Sequence, residues 1–145
     1  MRHPLWFFDL DNTLHDASGV IFPYINHAMT SYVARHLKLS LVDASRVRDE
    51  YWRQYGATLL GLVKHHAIDP HNFLYETHRF DELSGEYLGD LTHLVRSERG
   101  LREVLHRLPG RKVLLTNAPR AYALKVTKFL GIQSCFSGIE AVEDM

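Results

Sequence analysis

The sequence predicts an α/β fold, a parallel sheet whose first strand is followed by a long all-helical excursion before the sheet resumes. Three observations carry this. Leu5-Trp6-Phe7-Phe8 is a short, continuous apolar run that stops at Asp9-Leu10-Asp11-Asn12, as a strand buried on both faces does. Apolar residues then recur at four-residue spacing as far as about Ala67, the period of amphipathic helices. From Gly100 onward a helical face, a strand-like run and a second helical face follow one another, the order of an α/β crossover.

Taken in order, Ile25, Met29, Val33 and Leu37 mark one helix, and Val47, Tyr51, Tyr55, Leu59 and Val63 mark a second. Asp43 is the expected N-cap of the second, with Ser40 the alternative. Asp69-Pro70 breaks the chain before a shorter helix through Tyr75. Residues 79–97 are polar and irregular, a connector with weak helical content. Leu101, Val104, Leu105 and Leu108 then form a helical face that Pro109-Gly110 ends. The second strand is Lys112-Val113-Leu114-Leu115, and it stops at Thr116-Asn117-Ala118-Pro119. Ala121, Leu124, Val126 and Leu130 predict a further helix closed by Gly131 at its C′ position, and Phe136 to Val142 begins a third strand. This divides the chain into a sheet-bearing core, residues 1–15 and 97–145, and a helical insertion, residues 16–96.

Seventeen Lys and Arg balance seventeen Asp and Glu, and 46% of residues are hydrophobic, values of an ordinary globular protein. The zero net charge removes the long-range attraction on which binders of nucleic-acid polymers and anionic membranes rely. No apolar stretch approaches the ~20 residues of a membrane span. A lone cysteine, Cys135, excludes an internal disulfide or a multi-cysteine metal site. A cytoplasmic protein is expected.

The chemistry concentrates in Asp9-Leu10-Asp11-Asn12-Thr13, where the first apolar run ends. The carboxyl ends of the strands are where ligands bind in an open α/β sheet. Carboxylates at i and i+2 leave such an end on the same side, and their mutual repulsion calls for a cation. An all-oxygen site suits a hard divalent ion such as Mg²⁺. One carboxylate of such a pair can attack phosphorus while the other gives a proton to the leaving oxygen and later activates water; Thr13 can fix the geometry through its hydroxyl. The competing reading, a solvated turn that ends the strand, is opposed by the four large apolar residues before it and by a second strand that also ends in polar residues, Thr116-Asn117.

These residues resemble the haloacid dehalogenase superfamily of phosphohydrolases. Its first motif, an apolar strand running into D-x-D-x-T, stands here as Phe7-Phe8-Asp9-Leu10-Asp11-Asn12-Thr13-Leu14, and its second, an apolar strand ending in Thr or Ser, as Val113-Leu114-Leu115-Thr116. The resemblance implies a Rossmann-like sheet with an all-helical cap inserted after the first strand, and a small phosphate ester as substrate. It makes Asp9 the nucleophile that becomes an aspartyl-phosphate and Asp11 the general acid/base. It gives phosphoryl binding to Thr116 and the Asn117 amide, and Mg²⁺ to the Asp9 carboxylate and Asp11 carbonyl. An acid at position 11 implies phosphoryl transfer, since members that cleave carbon–halogen bonds lack one there.

Within the cap, Tyr51-x-x-x-Tyr55-Gly56, Leu60-Gly61-Leu62 and His65-His66, together with Thr116-Asn117-Ala118, look like the pyrimidine 5′-nucleotidase branch. Tyr55, Gly56 and His66 are then candidates for substrate binding. Tyr55 offers stacking area and a hydroxyl, and glycines remove bulk where a helix faces a ligand or another helix; plain helix packing is the alternative for each. A substrate such as phosphoglycolate or a sugar phosphate remains the competing expectation. The histidines at 65, 66, 71 and 78 lack the spacing of a zinc site, and the basic residues Arg102, Arg107, Arg111 and Lys112 flank a helix end and a turn.

The superfamily also uses a Lys and an acidic pair that follow the third strand. Lys125 and Lys128 lie in the helix after the second motif and Glu143-Asp144 directly after the third strand, so none matches. The resulting expectation is a truncated, catalytically incomplete chain whose first strand is an edge, open to pairing with another chain.

Overall fold

The computed structural model describes residues 3–79 and 95–144. The chain forms two compact units, Met1–Ile21 with Phe80–Met145, and Phe22–Arg79. In the first, β1 (Leu5–Phe8), β2 (Arg111–Leu115) and β3 (Gly138–Glu140) make a parallel sheet in the order β1-β2-β3. Phe8 pairs with Leu114 and Val113 with Gly138. The centre is β2, whose Lys112, Val113 and Leu114 are buried.

Double-sided burial of the first strand is not what the structure shows. Leu5 and Phe7 are 52% and 59% exposed, and among the described residues β1 pairs only with β2. A continuous apolar run is equally the pattern of a strand with one partner, because alternation is the only burial signal a short strand carries. Among the described residues β1 is at the end of the strand order. Trp6 Nε1 donates to Pro109 O at 2.8 Å, and Phe8 meets Phe136 edge to face at 5.9 Å.

Helices α5 (Leu101–Arg107) and α6 (Arg120–Phe129) accompany the sheet. The face that α6 buries is Tyr122, Ala123, Val126 and Thr127, while Ala121 and Leu124 are exposed. Apolar residues lie on both sides of that phase boundary, so the pattern permits either rotation. Gly131, at φ 68°, follows the helix as expected. Glu143 accepts from the Arg120 N–H at 3.1 and 3.0 Å, closing the first turn of α6, whose own Pro119 cap offers no side-chain acceptor. Asp144 accepts from the Ala141 N–H at 2.8 Å and from the Arg120 guanidinium. The Ala141 amide, and after it Arg120, hold the Asp144 carboxyl below its usual range.

The second unit contains α1 (Ile21–Leu37), α2 (Leu41–Tyr55), α3 (Thr58–His66) and α4 (Pro70–Thr77). Ser40, not Asp43, caps α2. Its Oγ accepts from the Asp43 N–H at 3.1 Å and donates to Asp43 Oδ2 at 2.7 Å, so Asp43 lies inside the first turn and holds the cap. The single helix expected from Val47 to Val63 is two. Gly56 turns the chain left-handed at φ 78°, a conformation that costs a residue with a Cβ about 1–2 kcal/mol. Asp69 caps α4 through the His71 N–H at 3.0 Å with Pro70 in the first turn, and α4 continues past Tyr75 to Thr77. Tyr32 anchors this unit: it stacks on His36 at 3.8 Å, meets Phe73 edge to face at 5.1 Å, and donates to Asn72 Oδ1 at 2.8 Å. Among the described residues no helix is long and apolar enough to cross a membrane.

Candidate active site

The chain turns as soon as β1 ends. Leu10, fully buried, fastens the turn from below, and its carbonyl accepts from the Thr13 and Leu14 N–H groups at 3.2 and 2.9 Å. Asn12 sits in the left-handed region at φ 60°, where Asn is among the residues best tolerated. Its Oδ1 accepts from the Ala17 and Ser18 N–H groups at 2.9 and 3.1 Å, and its Nδ2 donates to Ser18 Oγ at 2.8 Å. This side chain therefore satisfies the backbone of the loop that follows and keeps residues 9–13 in one shape.

The two carboxylates on this turn are held differently. Thr13 Oγ1 donates to Asp9 Oδ2 at 2.7 Å, while the Asp9 residue as a whole stays exposed. Asp11 lies deeper. Its Oδ1 accepts from Tyr122 Oη at 2.6 Å and meets His15 Nε2 at 2.8 Å, and both partners are buried. Burial, and after it the charge and hydrogen bond of Asp11, push the Tyr122 phenol well above its usual range, so it remains a donor. An exposed carboxylate bound by one hydroxyl suits attack, and a partly buried one gripped by two groups suits directed proton transfer.

Register places the second motif at the same end of the sheet. Phe8 is level with Leu114, so Asp9 and Thr116 each lie just past the paired segment. Thr116 is buried, donates its N–H to Glu140 O at 2.9 Å, and accepts at Oγ1 from the Ala118 N–H at 3.1 Å. Its hydroxyl proton can thus be offered elsewhere. Asn117, next in line, is exposed. Lys112 is buried at the opposite end of β2, its Nζ donating to Leu108 O and Gly110 O at 2.7 and 3.3 Å.

Asp9, Asp11, Thr13, Thr116 and Asn117 thus all belong to the sheet-bearing unit. Tyr55, Gly56 and His66 belong to the helical unit, where Tyr55 Oη pairs with His65 Nε2 at 2.6 Å and Tyr51 Oη with His66 Nε2 at 2.7 Å. The Tyr51 and His65 rings stack at 5.5 Å. A Cβ on Gly61 would lie 2.3 Å from Tyr51 Cγ, so this glycine serves helix contact. A Cβ on Gly56 would meet nothing within 4 Å; that glycine answers to backbone conformation and not to bulk, a correction of the sequence reading. Sequence reasoning missed His15 and Tyr122. His15 carries a weak signal, its i+4 spacing from Asp11, whereas Tyr122 is 111 positions away and carries none.

A parallel α/β sheet with paired carboxylates at the end of its first strand agrees with the class that the two motifs resemble. The chain belongs to the haloacid dehalogenase-like hydrolase family, whose pattern it matches over residues 5–145. It is similar to phosphate metabolism protein 8 of Saccharomyces cerevisiae, with 29% identity over 142 residues, covering 93% of this chain and 42% of that protein. It thus spans less than half the length of this relative. Among solved structures it is similar to a protein of Thermotoga maritima assigned as a beta-phosphoglucomutase, with 16% identity, a TM-score of 0.47, and coverage of 97% of this chain and 62% of the other.

Proposed function

We propose that the protein is a Mg²⁺-dependent phosphomonoesterase that transfers the phosphoryl group of a small ester to Asp9 and then to water. The observation that carries this reading is the asymmetry of the carboxylates: Asp9 is exposed and oriented by Thr13, and Asp11 is anchored by Tyr122 and His15. In the first step an Asp9 carboxylate oxygen attacks phosphorus as the bond to the ester oxygen breaks, and Asp11 gives that oxygen its proton. In the second, Asp11 takes a proton from water as the water attacks the aspartyl-phosphate, releasing inorganic phosphate and restoring Asp9. Thr116 and the Asn117 amide hold phosphoryl oxygens.

The donor set suits Mg²⁺. Among the described residues no group of three or more His, Cys, Asp or Glu forms a cage, and Mg²⁺ commonly uses one or two carboxylates with water and substrate phosphate. The Asp9 carboxylate and the Asp11 carbonyl are the ligands this chain offers. When bound, the ion offsets the negative charge that Asp9 and the phosphoryl oxygens bring together.

The substrate class we infer is pyrimidine nucleoside 5′-monophosphates, with residues 16–96 as the cap that selects them. The support is the clustering of Tyr51, Tyr55, His65 and His66, aromatic surface with polar edges of the kind that stacks and hydrogen-bonds a base. Phosphate release from a panel of nucleoside monophosphates, sugar phosphates and phosphoglycolate, with and without Mg²⁺, tests the reading on the full-length protein. The expected result is metal-dependent release, fastest from pyrimidine nucleotides, with Tyr55→Phe and His66→Ala altering the preference among substrates. Faster release from sugar phosphates would overturn the substrate class, and no metal-dependent release from any ester would overturn the activity.

A further inference from the structure

We propose that Tyr122 and His15 are positioning residues that occupy one oxygen of Asp11 and thereby confine the proton it transfers to the other. The inference rests on the reading of Asp11 as the general acid/base and adds to it where on that carboxylate the proton resides.

Two groups from separate parts of the chain converge on a single atom. Tyr122 comes from the first turn of α6 and His15 from the loop four residues beyond Asp11, and both reach Oδ1, at 2.6 and 2.8 Å. Among the described residues no hydrogen bond is made to Asp11 Oδ2, and the side chain keeps 15% of its exposure. The direction of each bond follows from chemistry. Tyr122 Oη faces a carboxylate, which only accepts, so the phenol donates. His15 Nδ1 is buried and, among the described residues, has no hydrogen-bond partner. A proton on Nδ1 would leave a buried N–H without an acceptor and turn the Nε2 lone pair towards Oδ1. The tautomer protonated at Nε2 avoids both, so His15 also donates to Oδ1.

With two donors on Oδ1, both of its in-plane lone-pair directions are used. A proton placed there would displace one of these two bonds from the carboxylate. The proton is therefore carried on Oδ2. The two bonds also fix rotation about the carboxylate, so Oδ2 keeps its aim through both steps of the reaction. Packing alone does not call for this arrangement: a phenylalanine at 122 and an apolar residue at 15 would fill the same space without desolvating three polar groups.

Leaving-group dependence separates positioning of the acid from a structural role. An alkyl ester such as a nucleoside 5′-monophosphate needs its leaving oxygen protonated, whereas p-nitrophenyl phosphate releases a stable phenolate. The comparison uses kcat/KM, which covers the steps through transfer to Asp9. Tyr122→Phe is expected to lower the value for the alkyl ester more than that for the aryl ester, changing their ratio about tenfold. His15→Leu should change the ratio in the same direction, and His15→Gln, which retains an N–H at similar reach, should recover part of it. Equal loss on both esters, or no loss, overturns the proposal. If Tyr122→Phe does not fold, the comparison of His15→Leu with His15→Gln decides by the same ratio. Asp11→Asn distinguishes the two levels of inference. If Asp11→Asn changes the ratio and the Tyr122 and His15 variants do not, positioning alone falls; if Asp11→Asn leaves it unchanged, the assignment of Asp11 as acid falls and the proposal with it.

Discussion

At the turn after β1, two buried side chains, one from α6, direct their polar atoms at one carboxylate oxygen of Asp11; between α2 and α3, each of two tyrosines meets one exposed histidine. Both regions are laced with short side-chain hydrogen bonds, and the bonds do different work. The Tyr–His pairs lie where water can replace them, beside a glycine that lets Tyr51 approach the α3 backbone. Close helix contact accounts for Gly61, and the pairs themselves add little stability. Around Asp11, the polar atoms of Tyr122 and His15 are taken out of water to orient a group that remains partly open. That costs desolvation without adding to the apolar core, which agrees with the proposed role of Asp11.

Substitutions on the two sides should separate accordingly. The largest effect is expected at Asp11→Asn, which keeps the shape of the turn but removes the proposed acid/base. Turnover of an alkyl phosphate should fall about 10²–10⁴-fold while circular dichroism and the unfolding midpoint change little; turnover near wild type would erase the distinction between the regions. Gly61→Ala should act on the fold, because its Cβ falls within 2.3 Å of the Tyr51 ring. A loss of about 1–3 kcal/mol, read from urea unfolding, is expected for this overpacking, and Gly61→Ala combined with Tyr51→Ala should recover part of it. A smaller loss of about 1–2 kcal/mol is expected for Gly56→Ala, since open space surrounds that position and only its left-handed backbone is strained. If Gly56→Ala proved the more harmful of the two, the contact between α2 and α3 would not depend on Tyr51 as described.

Legibility in the sequence followed the range of the interaction. The placement of the carboxylates at 9 and 11, the Thr13 hydroxyl and the Thr116-Asn117 pair was legible because each stands where an apolar strand stops, a local event. Tyr122 was not, because its partner is set by the fold and its place on α6 depends on a rotation that Ala121 and Leu124 made ambiguous. The division of α2 from α3 was hidden for a related reason: Tyr51, Tyr55, Leu59 and Val63 keep a four-residue spacing across Gly56, although Val63 is exposed and Leu62 is buried. The exposure of Leu5 and Phe7 was hidden because the continuous apolar run of β1 by itself suggested the opposite. Residues 80–94 of the expected connector lie outside the described residues.

The central claim, that Asp9 becomes an aspartyl-phosphate, is tested most directly by chemical trapping. The full-length protein is mixed with Mg²⁺ and a nucleoside monophosphate that it turns over, then quenched with borohydride, which reduces an acyl phosphate to the alcohol, and its peptides are analysed by mass spectrometry. The account predicts homoserine in place of Asp9, dependent on substrate and absent in Asp9→Asn. Unmodified Asp9 during continued turnover, or reduction at Asp11 instead, would contradict it.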